Sequence, residues 1–124
     1  MRRKKFTDSL RDSLYGIRFA LGTERNLRIH VLVLVVLIPG ALILGVNLLE
    51  MALLVLAAGL VIAAELVNTA VEKLVDLKIA REYNPLARIA KDVAAGAVLF
   101  SSLCALVVGV LVLVSVLLRR GLMV

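Results

Sequence analysis

Residues 51–76 have the sequence MALLVLAAGLVIAAELVNTAVEKLVD, which joins an apolar run to a polar stripe without interruption. Residues 51–64 carry no polar side chain, and long apolar runs of this kind are typical of helices that cross a bilayer. From residue 65 onward, polar side chains recur at helical spacing, so the same helix continues past the apolar run. The stretch therefore predicts a transmembrane helix with a polar site near one end.

The polar stripe consists of Glu65, Asn68, Glu72 and Asp76. At about 100° per residue, the four share one helix face about 80° wide. If Met51 lies at one boundary of a hydrocarbon layer about 30 Å thick, Glu65 lies about 20 Å inside it. Glu72 then falls near the opposite boundary and Asp76 beyond it. A charge deep in a bilayer costs about 2.5–3.5 kcal/mol on insertion scales, so such residues usually mark function or a paired network.

Two explanations of the stripe compete. Polar side chains can join helices through hydrogen bonds in a membrane. Three carboxylates on one face repel each other, however, and need a cation, which Lys, Arg or a divalent metal could supply. Mg²⁺ suits carboxylates that act together with phosphate oxygens. Glu24, before the first span, and Lys91–Asp92, at the start of the third, are predicted to lie at the same depth and to join the cluster.

The whole chain is predicted to be a single all-α membrane domain, 1–124. Of its 124 residues, 62% are hydrophobic, and the mean hydropathy is +1.04. Apolar residues at helical spacing predict an N-terminal amphipathic surface helix, capped by Thr7 or Asp8 and broken at Gly22–Thr23. Residues 77–91 are predicted to form a polar connector. The predicted elements are the surface helix at about 6–22 and spans at about 27–46, 51–74 and 93–118.

The distribution of basic residues predicts the orientation in the membrane. Eight Lys and Arg lie in the N-terminal region up to Arg28, and five lie in or near the second connection, from Lys73 to Lys91, against none in the first turn and two at the C-terminus. The positive-inside rule then places the N-terminus and the polar cluster in the cytoplasm and the C-terminus outside. Basic residues that flank the spans on the cytoplasmic side therefore explain the net charge of +6. With 4% aromatic residues and no Trp, no nucleic-acid partner is predicted.

A carboxylate cluster at a membrane surface is suited to phosphoryl transfer, which needs positioning, divalent cations and a proton acceptor. The sequence contains no G-x-x-x-x-G-K-[ST] loop and no protein-kinase motif, so any nucleotide site is of an uncommon kind. Two other classes of protein compete with a kinase. A proton- or ion-coupled transporter subunit would carry polar residues along its whole path, whereas the outer half of every span here is apolar. The second competing class is a purely structural membrane adaptor.

Three stretches carry a resemblance to a known family. They are GIRFALGTERNLRIH (16–30), AAELVNTAVEKLVDL (63–77) and EYNPLARIAKDVAAGAVLF (82–100). They resemble the prokaryotic diacylglycerol kinases, small membrane lipid kinases, over about residues 10–113. The resemblance implies three transmembrane helices, a surface helix, ATP with Mg²⁺, and a homotrimer with active sites shared between subunits. It also implies a bacterial plasma-membrane location.

The resemblance implies a role for each polar residue of the cluster. Glu65 is the expected general base for the lipid hydroxyl, and it contacts the lipid substrate together with Arg11. Glu24 and Glu72 are the expected metal-binding pair. The expected nucleotide-binding residues are Asn68, Asp76, Lys91 and Asp92.

The family has two branches with different lipid acceptors. TERNLRIH (23–30) and EYNPLARIAKD (82–92) look more like the Gram-positive undecaprenol kinase branch. The proteobacterial diacylglycerol branch has more Trp near its N-terminus, and this chain has none. We therefore expect ATP-dependent phosphorylation of undecaprenol to undecaprenyl phosphate. The alternative is phosphorylation of diacylglycerol to phosphatidic acid.

Overall fold

Every secondary-structure element in the described part of the chain is an α-helix. The computed structural model describes residues 5–79 and 83–122. A short N-terminal helix precedes three longer ones, and this confirms the predicted all-α class. The helices are α1 (Phe6–Thr23), α2 (Arg25–Leu44), α3 (Leu48–Ile79) and α4 (Pro85–Arg119).

Three of the helices, α2, α3 and α4, are long and apolar enough to cross a membrane. The mean hydropathy of the three candidate spans is 2.5, 2.2 and 2.8, and about 20 apolar residues suffice to cross a bilayer. This confirms a membrane protein with three spanning helices. α3 has 32 residues and is therefore about 48 Å long, so one end extends past a hydrocarbon layer about 30 Å thick. That end carries the polar stripe.

The amphipathic helix α1 leaves its apolar face uncovered. Phe6, Leu10, Leu14 and Ile17 are all exposed on it. A helix that presents an uncovered apolar stripe beside charged residues is suited to lie in a membrane interface. The backbone becomes extended at Glu24, immediately after the helix ends.

The predicted N-cap of α1 was wrong. The helix begins at Phe6 with Lys5 as its N-cap, and no side chain caps it. The backbone N–H of Asp8 donates to the Lys5 carbonyl at 3.0 Å. Asp8 therefore lies in the first turn, where its charge complements the positive end of the helix dipole.

The predicted polar connector, residues 77–91, overlaps both α3 and α4. α4 begins at Pro85, because Asn84 and Pro85 form a strong helix start. The Asn84 side-chain oxygen accepts from the backbone N–H of Leu86 at 2.9 Å, and proline favours the first helical position. Lys91 and Asp92 consequently lie on the second turn of α4. The helical backbone therefore fixes the direction in which each side chain leaves the helix.

The middle helix in the packing is α3, which packs mainly against α4 and then against α2, while α1 touches α2 and α3 only lightly. The buried apolar cluster of Ala41, Leu54, Val112 and Val116 lies towards the α2–α3 turn (residues 45–47). We call this the turn end of the molecule. The opposite end, where α1 meets α2 and α3 carries its polar stripe, is the site end.

Polar contacts close the turn end. Asn47 and Glu50 cap the start of α3 reciprocally, since each side chain accepts from the other's backbone N–H at 2.8 Å. Glu50 is buried and also accepts from Ser115 Oγ at 2.7 Å and from Arg119 at 2.8 and 2.9 Å. These bonds tie the start of α3 to the last turn of α4.

Candidate active site

The polar stripe of α3 changes from buried to exposed along the helix. Glu65 is 4% exposed, and Asn68 and Thr69 are also buried. Glu72 is half-buried and Asp76 is exposed. Thr69 Oγ1 donates to the Glu65 carbonyl at 2.9 Å, so its hydroxyl is used within the helix. The stripe therefore offers one enclosed carboxylate and two more accessible ones.

The enclosed carboxylate contacts α2 through His30. His30 Nε2 lies 3.5 Å from Glu65 Oε1, and the two side chains are 28% and 5% exposed. Sequence reasoning had missed His30. A signal was present, because His30 is the only histidine of the chain and a titratable residue within an apolar span.

Asn68 and Glu72 form a second contact one turn further along α3. Asn68 Nδ2 donates to Glu72 Oε1 at 3.3 Å. The Asn68 side-chain oxygen is buried and has no hydrogen-bond partner among the described residues. A buried acceptor without a partner is unusual and favours a ligand-facing role.

Glu24 reaches the same region from the junction of α1 and α2. Its Oε1 lies 3.2 Å from Lys73 Nζ on α3, and Thr23 Oγ1 donates to it at 3.3 Å. Glu24 and Glu72 both lie close enough to Glu65 for their charges to repel its carboxylate. Three acidic side chains from two parts of the chain therefore surround one region at the site end.

A further ion pair links α3 to α4. Lys91 Nζ lies 2.9 Å from Asp76 Oδ1. A shallow hollow beside it is lined by Phe19, Lys73, Asp76 and Leu77, where α1 approaches α3. It offers an aromatic ring and both signs of charge to a ligand at the membrane surface.

Two of the predicted site residues stand apart from these contacts. Asp92 is exposed on α4, next to Lys91, and Arg11 is exposed on the first half of α1. Neither makes a contact that ties it to Glu65 within the described part of the chain. Each remaining predicted residue has a partner in one of four pairs: Glu65 with His30, Glu24 with Lys73, Asn68 with Glu72, and Asp76 with Lys91.

The donor set fits Mg²⁺ only if phosphate completes it. Among residues 5–79 and 83–122, no group of three His, Cys, Asp or Glu side chains could hold a metal ion. Mg²⁺ commonly takes one or two carboxylates and fills its other positions with phosphate oxygens and water. Glu72, with the unpartnered Asn68 oxygen beside it, meets that requirement, whereas the carboxylate of Glu24 is paired with Lys73.

An apolar cavity of about 570 Å³ runs between α2, α3 and α4. His30 lines its site end, and Val46 and Val116 line its turn end. Apart from His30 and Ser102, its lining side chains are apolar. His30 therefore links the enclosed carboxylate of Glu65, which does not itself line the cavity, to this apolar space, an arrangement that suits proton removal from a lipid alcohol.

Comparisons with known proteins agree with this chemistry. Residues 11–113 match the family model described as prokaryotic diacylglycerol kinase. A diacylglycerol kinase of Synechocystis sp. is 44% identical over 101 residues, which cover 82% of this chain. The undecaprenol kinase of Bacillus subtilis is 34% identical, with 78% of each chain covered. A diacylglycerol kinase of Pseudomonas aeruginosa is 37% identical over 76% of each chain. The alignment spans only 58% of the Synechocystis protein.

Proposed function

Because the chain belongs to the prokaryotic diacylglycerol kinase family, we propose that it transfers the γ-phosphate of ATP to the hydroxyl group of a membrane lipid. The family consists of lipid kinases, and its relatives described above are named as kinases. These names favour a kinase over the transporter subunit and the structural adaptor. Its three apolar helices and its family support a bacterial membrane protein.

The observation that carries the proposal is the position of Glu65. Its side chain is almost fully buried, and the other faces of α3 around it are apolar. A carboxylate kept from water near the apolar cavity can meet a hydroxyl that stays in the membrane. Its neighbours Glu24 and Glu72 lie nearer the charged surface, where a nucleotide would approach.

The chemistry follows from this arrangement. The lipid hydroxyl oxygen attacks the γ-phosphorus of ATP while its proton passes to Glu65. The bond between the γ-phosphorus and the β–γ bridging oxygen breaks, and ADP leaves. Phosphoryl transfer depends mainly on positioning and charge stabilisation, and we assign the proton acceptor alone to Glu65.

The other acidic and polar residues would bind the nucleotide. Glu24 and Glu72 would hold Mg²⁺, which when bound offsets the negative charge of the phosphates. Asn68 would contribute its free side-chain oxygen to the same region. The paired Asp76 and Lys91 border the hollow beside Phe19, and Asp92 follows on α4. The nucleotide-binding set is thus Asn68, Asp76, Lys91 and Asp92.

Undecaprenol is the proposed acceptor lipid, and diacylglycerol is the second candidate. The absence of Trp and the stretches 23–30 and 82–92 favour undecaprenol. The Synechocystis relative, 44% identical, is named a diacylglycerol kinase and favours the alternative. Arg11 on the exposed surface helix is proposed to contact the lipid headgroup region. We also propose that the active site faces the cytoplasm. The protein would be a homotrimer in which neighbouring subunits share the active sites.

A direct transfer assay tests the function. Purified protein in detergent receives γ-labelled ATP and Mg²⁺, with undecaprenol or diacylglycerol in parallel reactions. We expect label mainly in undecaprenol and none when Mg²⁺ is chelated. Label mainly in diacylglycerol would contradict the proposed acceptor, and label in neither lipid would contradict the kinase itself.

A further inference from the structure

A proton taken up by Glu65 must leave before the next turnover. The Glu65 side chain is 5% exposed, and on its own helix it is followed by Leu66 and Val67. The one titratable side chain in direct contact with its carboxylate, within the described residues, is His30 on α2 at 3.5 Å. His30 is more than five times as exposed, and it lies on the second turn of α2, near the charged site end of the chain.

We propose that His30 is a positioning and proton-relay residue for Glu65. The inference rests on the proposed function, because it needs Glu65 to be the base. Imidazole is the side chain that gains and loses a proton most readily near neutral pH. Its contact with Oε1 also restrains the rotamer of the carboxylate, which sets the direction from which the lipid hydroxyl approaches.

The relay balances in two steps. First, the lipid hydroxyl proton moves to Glu65 as the oxygen–phosphorus bond forms and ADP leaves. Second, the Glu65 proton passes to Nε2 of an imidazole whose own proton is on Nδ1, and the resulting imidazolium releases one of its two protons to water. Glu65 returns as a carboxylate and His30 as a neutral imidazole, so no further reactant is consumed.

A purely structural role of His30 and a proton-relay role predict different results for the substitution His30→Gln. Glutamine keeps a nitrogen donor near the position of Nε2 but cannot accept a proton. If His30 only holds Glu65 in place, His30→Gln should retain the wild-type kcat. If His30 relays the proton, His30→Gln should lower kcat by at least about tenfold, with the KM values for ATP and lipid within about twofold of the wild type.

The experiment compares His30→Gln, His30→Ala and the control Ser102→Ala in the transfer assay. Ser102 lines the same cavity as His30 and belongs to no proposed catalytic set. Added imidazole should restore at least about a fifth of kcat to His30→Ala, because it replaces the lost acceptor. It should not change His30→Gln, whose side chain fills the space, or Ser102→Ala.

Each outcome decides for or against the relay. Wild-type kcat in His30→Gln overturns it, and so does His30→Ala activity that imidazole does not restore. Loss of kcat with imidazole rescue supports it. Failure of the proposed function is recognised separately, because the wild-type protein would then transfer no label to either lipid.

Discussion

Glu65 holds an unusual position for a carboxylate, since it is enclosed on a membrane-spanning helix and, among the residues that the structure describes, its carboxylate meets only the imidazole of His30 at close range. Burial of this kind is costly unless the group is paired or used. The pairing with His30 is loose at 3.5 Å, and Asn68 bonds to Glu72 instead. Glu65 is therefore poised to accept a hydrogen bond from a ligand, and the first prediction concerns this residue.

Glu65→Gln should lower kcat by about 100- to 10,000-fold, the usual contribution of a general base. Glutamine keeps the shape and polarity of the side chain but cannot take the lipid proton. Equilibrium binding of a fluorescent ATP analogue should stay within about threefold of the wild type, because nucleotide contacts are assigned to other residues. Turnover near the wild-type rate in this variant would rule out Glu65 as the base.

The Asp76–Lys91 pair belongs to the nucleotide in our proposal and not to the stability of the fold. Lys91→Met should raise the KM for ATP by about tenfold, since a lost phosphate contact weakens binding. The melting temperature should not change, because exposed ion pairs contribute little to stability. Arg88→Met, which removes an exposed cation one turn earlier on α4, is the matched control. Equal effects of the two substitutions on the KM would mean that general positive charge, and not Lys91, binds ATP.

At the scale of the elements, the long helices were predictable because apolar length alone defines them. The start of α4 was missed because residues 77–91 are polar on average, although Asn84 and Pro85 carry a specific helix-start signal. The polar stripe was predictable from the helical period on α3. The His30–Glu65 contact was not, because it depends on how α2 packs against α3, and no periodicity within either helix encodes that rotation.

The contacts between helices at the turn end could not be predicted from the sequence either. Asn47 and Glu50 are recognisable as polar residues of a short turn, but the bonds that Glu50 accepts from Ser115 and Arg119 depend on α4 returning beside α3. Arg119 also donates to the Gly45 carbonyl at 3.4 Å, and Arg120 donates to the Leu44 carbonyl at 2.6 Å. The two C-terminal arginines thus satisfy carbonyls at the end of α2 and neutralise a buried carboxylate.

Glu50→Gln and Arg119→Gln should each lower the melting temperature by several degrees, because each leaves a polar partner of the turn-end cluster uncompensated. The double variant should lose less than the sum of the single losses, since both break the same interaction. Thermal unfolding followed by circular dichroism in detergent measures this. The KM for ATP of the folded single variants should match the wild type, because the site end lies at the opposite ends of α3 and α4. Additive losses would show that the two residues do not act as a pair.

For the whole molecule, three spanning helices place the two termini on opposite sides of the membrane. The positive-inside rule predicts a cytoplasmic N-terminus, and the C-terminal end, where Arg119 pairs with Glu50, would then lie outside. In a Cys104→Ala background, Leu122→Cys should react with a membrane-impermeant maleimide in intact cells. Thr7→Cys should react only after permeabilisation. The reverse pattern would invert the topology and move the proposed site outside.

In the proposed homotrimer, residues of two neighbouring subunits would form each active site. α4 buries only 6% of its most apolar window within one chain, and Asp92 on its second turn is exposed. In a homotrimer, Asp92 of one subunit would lie free to complete the nucleotide site of the next. Glu65→Gln and Asp92→Asn should each be inactive alone, yet mixed trimers should regain about a fifth of the wild-type activity, because some sites then receive no altered residue. Transfer assays on co-expressed variants measure the recovery, and matched Glu65→Gln and Glu72→Gln mixtures, with both changes on α3, should recover none. No recovery in the first mixture would confine each site to a single chain.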